Sequence, residues 1–280
     1  MSPLSACPPP PDRVGIRSEL AGRSAAHISV RSALRSTLRS ALTRLENGAF
    51  RAAVTAGKPV ACSWSGGKDS AFALYRTLQD GGRPAALVTM LTEDGQRSRS
   101  HGIHRSILEA QAQRVGAALV VRATSWTTYE DAFVDALREV RGMGITECVF
   151  GDINFDENRA WEEQVCRAAE LSALLPLWQL EREAYVGDLI RHGFRAKVIA
   201  VKNGTIPKNF LGREIDQALV RDLRPLAVDI AGEAGEYHTL VIDCPLFDSP
   251  VHVEDGDAVL RDGVWFLDQH YDVGTRAENL

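Results

Sequence analysis

The chain lacks most of the features that assign a protein class at sight. It has no CxxC pair, and its five cysteines (Cys7, Cys62, Cys148, Cys166 and Cys244) are odd in number and scattered. That pattern argues against a disulfide framework and reads as reduced, cytoplasmic thiols. The seven histidines show no HxxxH or related ligand spacing, which argues against a structural zinc site. No apolar run approaches the roughly 18 residues that span a bilayer, so no membrane partner is expected. The basic excess of a general nucleic-acid binder is also missing. Lys and Arg number 32 against 37 Asp and Glu, a net charge of −5, and no nucleic-acid partner is expected.

What is present suits a globular chain of 280 residues, long enough for one large domain or two modest ones. Residues 1–55 differ in kind. They open with Pro-rich sequence and continue as an Arg/Ser/Ala-rich extension poor in acids. Disorder, or a true start near Val54, is the leading expectation there; a docked helix or a targeting segment remains an alternative. From Lys58 a regular alternation begins. The apolar runs PVACSW, AALVTML, ALVVRAT, ECVFGDI and LLPLWQL are each candidate strands, and helical spacing fills the gaps between them. Thr127 and Glu130 have the spacing of a capping box ahead of YEDAFVDALREV. Strand and helix in strict alternation predict a doubly wound parallel α/β sheet, whose ligand lies at the carboxyl ends of the strands.

The densest chemistry falls at that edge. Between the first strand and the first helix stand Ser65, Gly66, Gly67, Lys68, Asp69 and Ser70. Two glycines permit a tight turn and close backbone approach. The N–H groups that follow open a helix, where an anion is favoured. The two hydroxyls and the lysine add donors and a positive charge, so the six residues read as a phosphate cradle on a surface turn. They do not fit G-x4-G-K-[ST] or G-x-G-x-x-G.

SGGKDS in this position resembles the pyrophosphate loop of the N-type ATP pyrophosphatases, the adenine-nucleotide α-hydrolase-like group with a HUP-like domain. The resemblance implies ATP, cleaved between its α and β phosphates. It assigns phosphate oxygens to Ser65, Gly66, Gly67, Lys68 and Ser70. Asp69 would orient the loop or a magnesium ion, and the adenine would lie near Met90 and His101. Magnesium would offset phosphate charge.

Later segments narrow the resemblance. GDI (151–153), PLW (176–178), FLGREID (210–216) and GEAGEYHTLVIDCPLF (232–247) follow in order, and the set is similar to the diphthine–ammonia ligase family over roughly residues 58–250. The resemblance implies an ATP-binding domain at 56–178 and a smaller α/β substrate domain at 179–280. In the last segment Glu233, Glu236 and His238 flank small residues, a set able to bind an amine, hold a metal or move protons. With Lys68 they are the candidate catalytic residues. The implied reaction is adenylation of a substrate carboxylate, then amide formation with ammonia or another amine, releasing AMP and pyrophosphate. Two departures bear on the substrate: Ala234 stands where the family pattern leads one to expect Gly or Asn, and His238 where its diphthamide-making branch has Glu. Another small-molecule substrate, a tRNA thiolase and a non-catalytic nucleotide-binding module therefore stay open as alternatives. So does the question of a homo-oligomer.

Overall fold

The apolar runs that open each repeat pair side by side. In the computed structural model, which describes residues 57–271, the strands β1 (Lys58–Ser63), β2 (Gly82–Leu91), β3 (Ala118–Ala123), β4 (Glu147–Val149) and β5 (Ser172–Leu174) form one parallel sheet. Their order is β3-β2-β1-β4-β5. The extension at 1–55, with Cys7, lies outside the described residues. Helices α1 (Lys68–Gln79), α2 (Arg105–Val115), α3 (Tyr129–Gly142) and α4 (Asp156–Ala168) make the crossovers.

Alternation along the strands divides the core in two. On β1, Val60 and Cys62 face α1 and α2, whereas Ala61 faces the other way with Val88 and Met90 of β2, against α3 and α4. The sheet is thus covered on both faces, the doubly wound α/β arrangement that the sequence predicts. Chain order runs from β1 out to β3 and then reverses to β4 and β5. The crevice at the carboxyl ends of β1 and β4 is therefore the topological switch point.

The rest of the chain forms a second sheet from β6 (Arg195–Lys202), β7 (Tyr237–Asp243), β8 (Val253–Arg261) and β9 (Val264–Tyr271), in the order β7-β6-β9-β8. Helices α5 (Arg182–Arg191) and α6 (Gln217–Leu223) accompany it. All three pairings are antiparallel, so this smaller unit has helices and strands without parallel crossovers. Residues of β6 and β7, among them Val198, Val201, Leu240 and Val241, share one buried cluster with α1 and α2.

Three local expectations change. The apolar stretch 147–153 is a strand only to Val149, because Gly151 must pass close over the start of α1. The run LLPLWQL contributes only its first leucine to a strand; Pro176 has no N–H for a ladder, and 176–179 turn. The capping box does not form. The N-cap of α3 is Thr128, without a side-chain cap, while Glu130 accepts hydrogen bonds from Trp161 Nε1 (2.9 Å) and Gln164 Nε2 (3.1 Å) on α4. Two side-chain donors on the neighbouring helix outcompete the local backbone amide.

One buried side chain ties the two sheets together. Gln111 on α2 is fully buried; its Nε2 donates to the carbonyls of Gly66 (3.1 Å) and Val241 (2.8 Å), and its Oε1 accepts from Trp64 Nε1 (2.9 Å). Gln111→Leu takes these bonds from the buried Trp64 indole N–H and the Val241 carbonyl and leaves the Gly66 carbonyl with Val241 N–H alone. It is expected to lower the unfolding free energy by about 3 kcal/mol in urea titrations, since each stranded buried group costs roughly 1–3 kcal/mol. An unchanged midpoint would contradict this.

Candidate active site

Residues 65–70, read from the sequence as a cradle, lie where β1 ends and α1 begins. Gly66 has φ +81°, and a β-carbon there would lie 2.8 Å from Ile103 Cδ1 and 3.0 Å from Gln111 Oε1. Glycine alone fits both the backbone and the space. Its carbonyl, turned inward, accepts from Val241 N–H at 2.9 Å as well as from Gln111. Ser65 Oγ accepts from Gly67 N–H (3.2 Å) and hydrogen-bonds Ser70 Oγ (3.1 Å). Lys68 N–H donates to Thr239 Oγ1 at 3.0 Å. A β-carbon on Gly67 would lie 2.9 Å from His101 Nε2 and 3.1 Å from the Thr239 carbonyl. Gly67 is buried beneath β7 and His101, so the turn is covered and not a surface turn.

Lys68 and Asp69 turn toward each other. Lys68, only 3% exposed, places Nζ 2.8 and 2.9 Å from the two Asp69 oxygens and 5.3 Å from the centre of the Tyr237 ring. Tyr185 OH on α5 donates to Asp69 Oδ1 at 2.7 Å. Burial pulls the Lys68 pKa down, but Asp69, Tyr237 and Glu233 outweigh it, and the ammonium is held above its ordinary value. Lys68 is a fixed positive charge. Asp69 orients it and is itself oriented by α5.

The loop 232–236 before β7 separates two carboxylates that look alike in sequence. Glu236 is buried, and its oxygens accept from the N–H groups of Asp229 (3.1 Å) and Ala234 (3.0 Å). It builds the loop. Glu233 is only partly covered, and its pKa is pushed up to about 7. Burial is the main cause, followed by the negative charge of Asp69, with Lys68 opposing and Asp152 adding. A carboxyl titrating near neutrality beside a fixed ammonium is equipped for proton transfer.

His238 is the second residue of β7 and sits against His101, the ring centres 4.6 Å apart. Burial, then the neighbouring His238 and Lys68, holds His101 well below the usual histidine range; burial and Lys68 also lower His238. Both rings are neutral at pH 7. Met90 is different: its side chain lies in the core facing α3 and α4, and only its backbone reaches the carboxyl edge, where its carbonyl accepts from Arg99 N–H at 2.9 Å. Beyond His101 a cavity of about 340 Å³ runs between the 92–104 segment and the β8–β9 hairpin, lined by Arg97, Ser98, Ile199, Phe266 and Gln269.

Several site residues were not singled out from the sequence. Gln111 carried a signal, a polar side chain at an inward helical position. Gly151 carried a fainter one: a β-carbon there would meet Asp69 C and Ser70 N at 2.7 Å. Tyr185 carried none, since nothing local distinguishes it, and Thr239 lay in the quoted segment 232–247 with no role of its own.

Residues 58–173 match the family model described as the diphthamide synthase N-terminal domain, and residues 181–278 match the diphthamide synthase C-terminal domain. A Rattus norvegicus protein named diphthine–ammonia ligase is 28% identical over 232 residues, 72% of this chain and 85% of its own. The Homo sapiens protein of that name is 28% identical over 233 residues, with the same two coverages. The Schizosaccharomyces pombe protein of that name is 26% identical over 217 residues, 70% of this chain and 36% of its own.

The cradle geometry yields a direct test. Gly67→Val would press a branched side chain onto the Thr239 backbone and the His101 ring. It is expected to weaken ATP binding at least ~100-fold by calorimetry and to lower stability by about 1–3 kcal/mol. Wild-type ATP affinity in the folded variant would contradict the cradle.

Proposed function

Because the chain belongs to the diphthamide synthase family, we propose that it is an ATP-dependent, amide-forming ligase that releases AMP and pyrophosphate. The observation that carries this reading is the meeting, around Lys68, of the pyrophosphate-type loop of one sheet with the near-neutral carboxyl of Glu233 from the other.

In the proposed first step a substrate carboxylate attacks the α-phosphorus of ATP, giving an acyl-adenylate and pyrophosphate. Residues 65–70 hold the phosphates, and Lys68 keeps its charge throughout, stabilising the negative charge that builds on the phosphate oxygens. The nucleoside extends toward the carboxyl end of β2, where His101 and Arg99 line the cavity and the Met90 carbonyl holds Arg99 N–H. In the second step ammonia or another amine attacks the acyl carbon, AMP departs, and Glu233 takes the proton that the nitrogen releases. Neutral His238 and His101 are placed to hydrogen-bond the reacting groups without adding charge. Glu236 acts through the loop it shapes. Activation by AMP is needed because oxide is a poor leaving group from a carboxylate, and positioning supplies much of the rest.

Magnesium would enter with the ATP phosphates and offset their charge. Asp69 already serves Lys68 and Tyr185, and among the described residues no group of three or more His, Cys, Asp or Glu is arranged to hold a metal. The relatives are named for diphthine and ammonia. Here Ala234 and His238 depart from the family pattern, and the acyl substrate is proposed at the level of a carboxylate. Among the described residues no helix is long and apolar enough to cross a membrane, and four cysteines are buried free thiols. We place the reaction in the cytoplasm on that basis.

A tRNA thiolase would need a reactive thiol beside the loop. Cys62 is fully buried, and burial pushes its pKa far up, which leaves it inert. A non-catalytic nucleotide module would have no use for a base at Glu233.

Labelled ATP, with diphthine as trial acyl substrate, separates these readings. AMP and pyrophosphate are expected; ADP and phosphate would refute the scheme. Glu233→Gln should keep ATP affinity within about threefold yet slow amide formation by roughly 10²–10⁴-fold, the usual contribution of a positioned base. In the wild type the amidation rate should rise as pH passes upward through about 7, where the Glu233 carboxylate forms, and the variant should lose that inflection.

A further inference from the structure

On the β4 side of the switch point the chain gathers more acceptors than donors. Gly151 lies against the Asp69–Ser70 peptide, so the turn that follows it starts beside the phosphate loop. Asp152 comes next, and its Oδ1 accepts from Asn158 Nδ2 at 2.8 Å. Glu162 on α4 is 3% exposed and paired carboxyl to carboxyl with Asp152, and no N–H group reaches its buried Oε2. Asn154 Oδ1, on the same turn as Asp152, is buried with no partner. Stranded acceptors of this kind cost free energy unless a donor joins them.

The charges around them select the donor. Asp69 and Asp152 both raise the Glu233 pKa against Lys68 and Arg182, and Asp152 raises that of Glu162. Glu162 is pushed up to about 11, chiefly by burial and then by Asp152. It therefore carries a proton at neutral pH for want of a counter-cation. A small cation rich in N–H bonds meets both needs. The same residues are not arranged as a metal site.

We propose that Asp152, Glu162 and Asn154 form a binding subsite for ammonium, the nitrogen donor of the reaction. The inference rests on the ligase reading above. Ammonium donates N–H bonds to these oxygens and gives one proton to Glu233; as ammonia it attacks the acyl carbon held at the loop, AMP leaves with the bonding pair, and the AMP phosphate takes the second proton that the nitrogen sheds. The ATP phosphates occupy the centre of the switch point and the amine its β4 flank.

The test uses the full chain and ammonium chloride as the probe, with potassium chloride, a cation of similar size without N–H donors, as the control. Thermal unfolding is followed at equal ionic strength. Ammonium should raise the midpoint saturably and potassium should not, as expected for a ligand bound only by the folded state. Asp152→Asn and Glu162→Leu should weaken that response at least about tenfold while leaving ATP affinity unchanged. Glu162→Leu should also keep or raise the midpoint without ammonium, because it removes a stranded polar group. Superimposed ammonium and potassium curves overturn the proposal. So does an ammonium response that persists in either variant, or a magnesium response saturating at lower concentration and lost in both variants. The ATP product pair is measured separately, so ammonium binding with ADP as product would sink the ligase reading, whereas AMP formation without ammonium binding would sink only this subsite.

Discussion

The Gly66 carbonyl accepts hydrogen bonds from Val241 N–H on β7 and from Gln111 on α2, and most of the site hangs on that junction. Only a left-handed glycine can turn its carbonyl inward there. The bond registers β7 against the loop. In that register Thr239 Oγ1 meets Lys68 N–H, His238 meets His101, and Tyr237 lies beside the Lys68 ammonium. A typical hydrogen bond contributes about 1 kcal/mol net, but leaving such groups stranded costs more. A displaced β7 would strand the Gly66 carbonyl, the Gln111 amide and Lys68 N–H together. The second sheet is therefore part of the phosphate loop's wall and does not merely neighbour it.

Electrostatics around the junction divide into fixed and titrating parts. Lys68 is fixed, since its carboxylate partner is adjacent in sequence and locked by Tyr185. Glu233 titrates because burial and Asp69 oppose its ionisation while Lys68 favours it. The difference between Glu233 and Glu236 comes from the backbone. Glu236 has two N–H groups aimed at its carboxylate; Glu233 has charges around it instead.

Sequence pattern revealed the elements far better than their meetings. The parallel sheet was legible because each strand is a short apolar run followed at once by a helical period, and the cradle because its glycines and lysine fall where one strand ends. The end of β4 was not legible: Phe150 and Ile153 are both buried, but in irregular backbone beyond Val149, where only Phe150 N–H still reaches β5 at the Leu174 carbonyl. The antiparallel second sheet pairs β6 with β9 across more than sixty residues (Ala200 with Phe266), a separation that no local period encodes. Thr127 and Glu130 had the spacing of a capping box, yet Trp161 and Gln164 captured the glutamate. The active-site carboxylates show the same limit. Glu233 and Glu236 were equal candidates by composition, and only the amides around Glu236 separate them.

The switch-point geometry also bears on how an adenylate could survive. An acyl-adenylate is open to water, so a ligase of this kind benefits from forming it where the walls are already packed. Gly67 lies under β7 and His101, Gly151 lies against the start of α1, and Lys68 is almost wholly covered. The three approaches to the loop then differ in chemistry: a cavity with Arg97 and His101 on the β2 side, Glu233 and His238 from the second sheet, and unpaired acceptors on the β4 side. An anionic nucleotide is repelled by the acidic flank and attracted by Lys68 and the start of α1, whereas a cationic amine is drawn the opposite way. Opposed preferences of this kind would bring the two reactants to the same carbonyl from different sides without either one occupying the other's place.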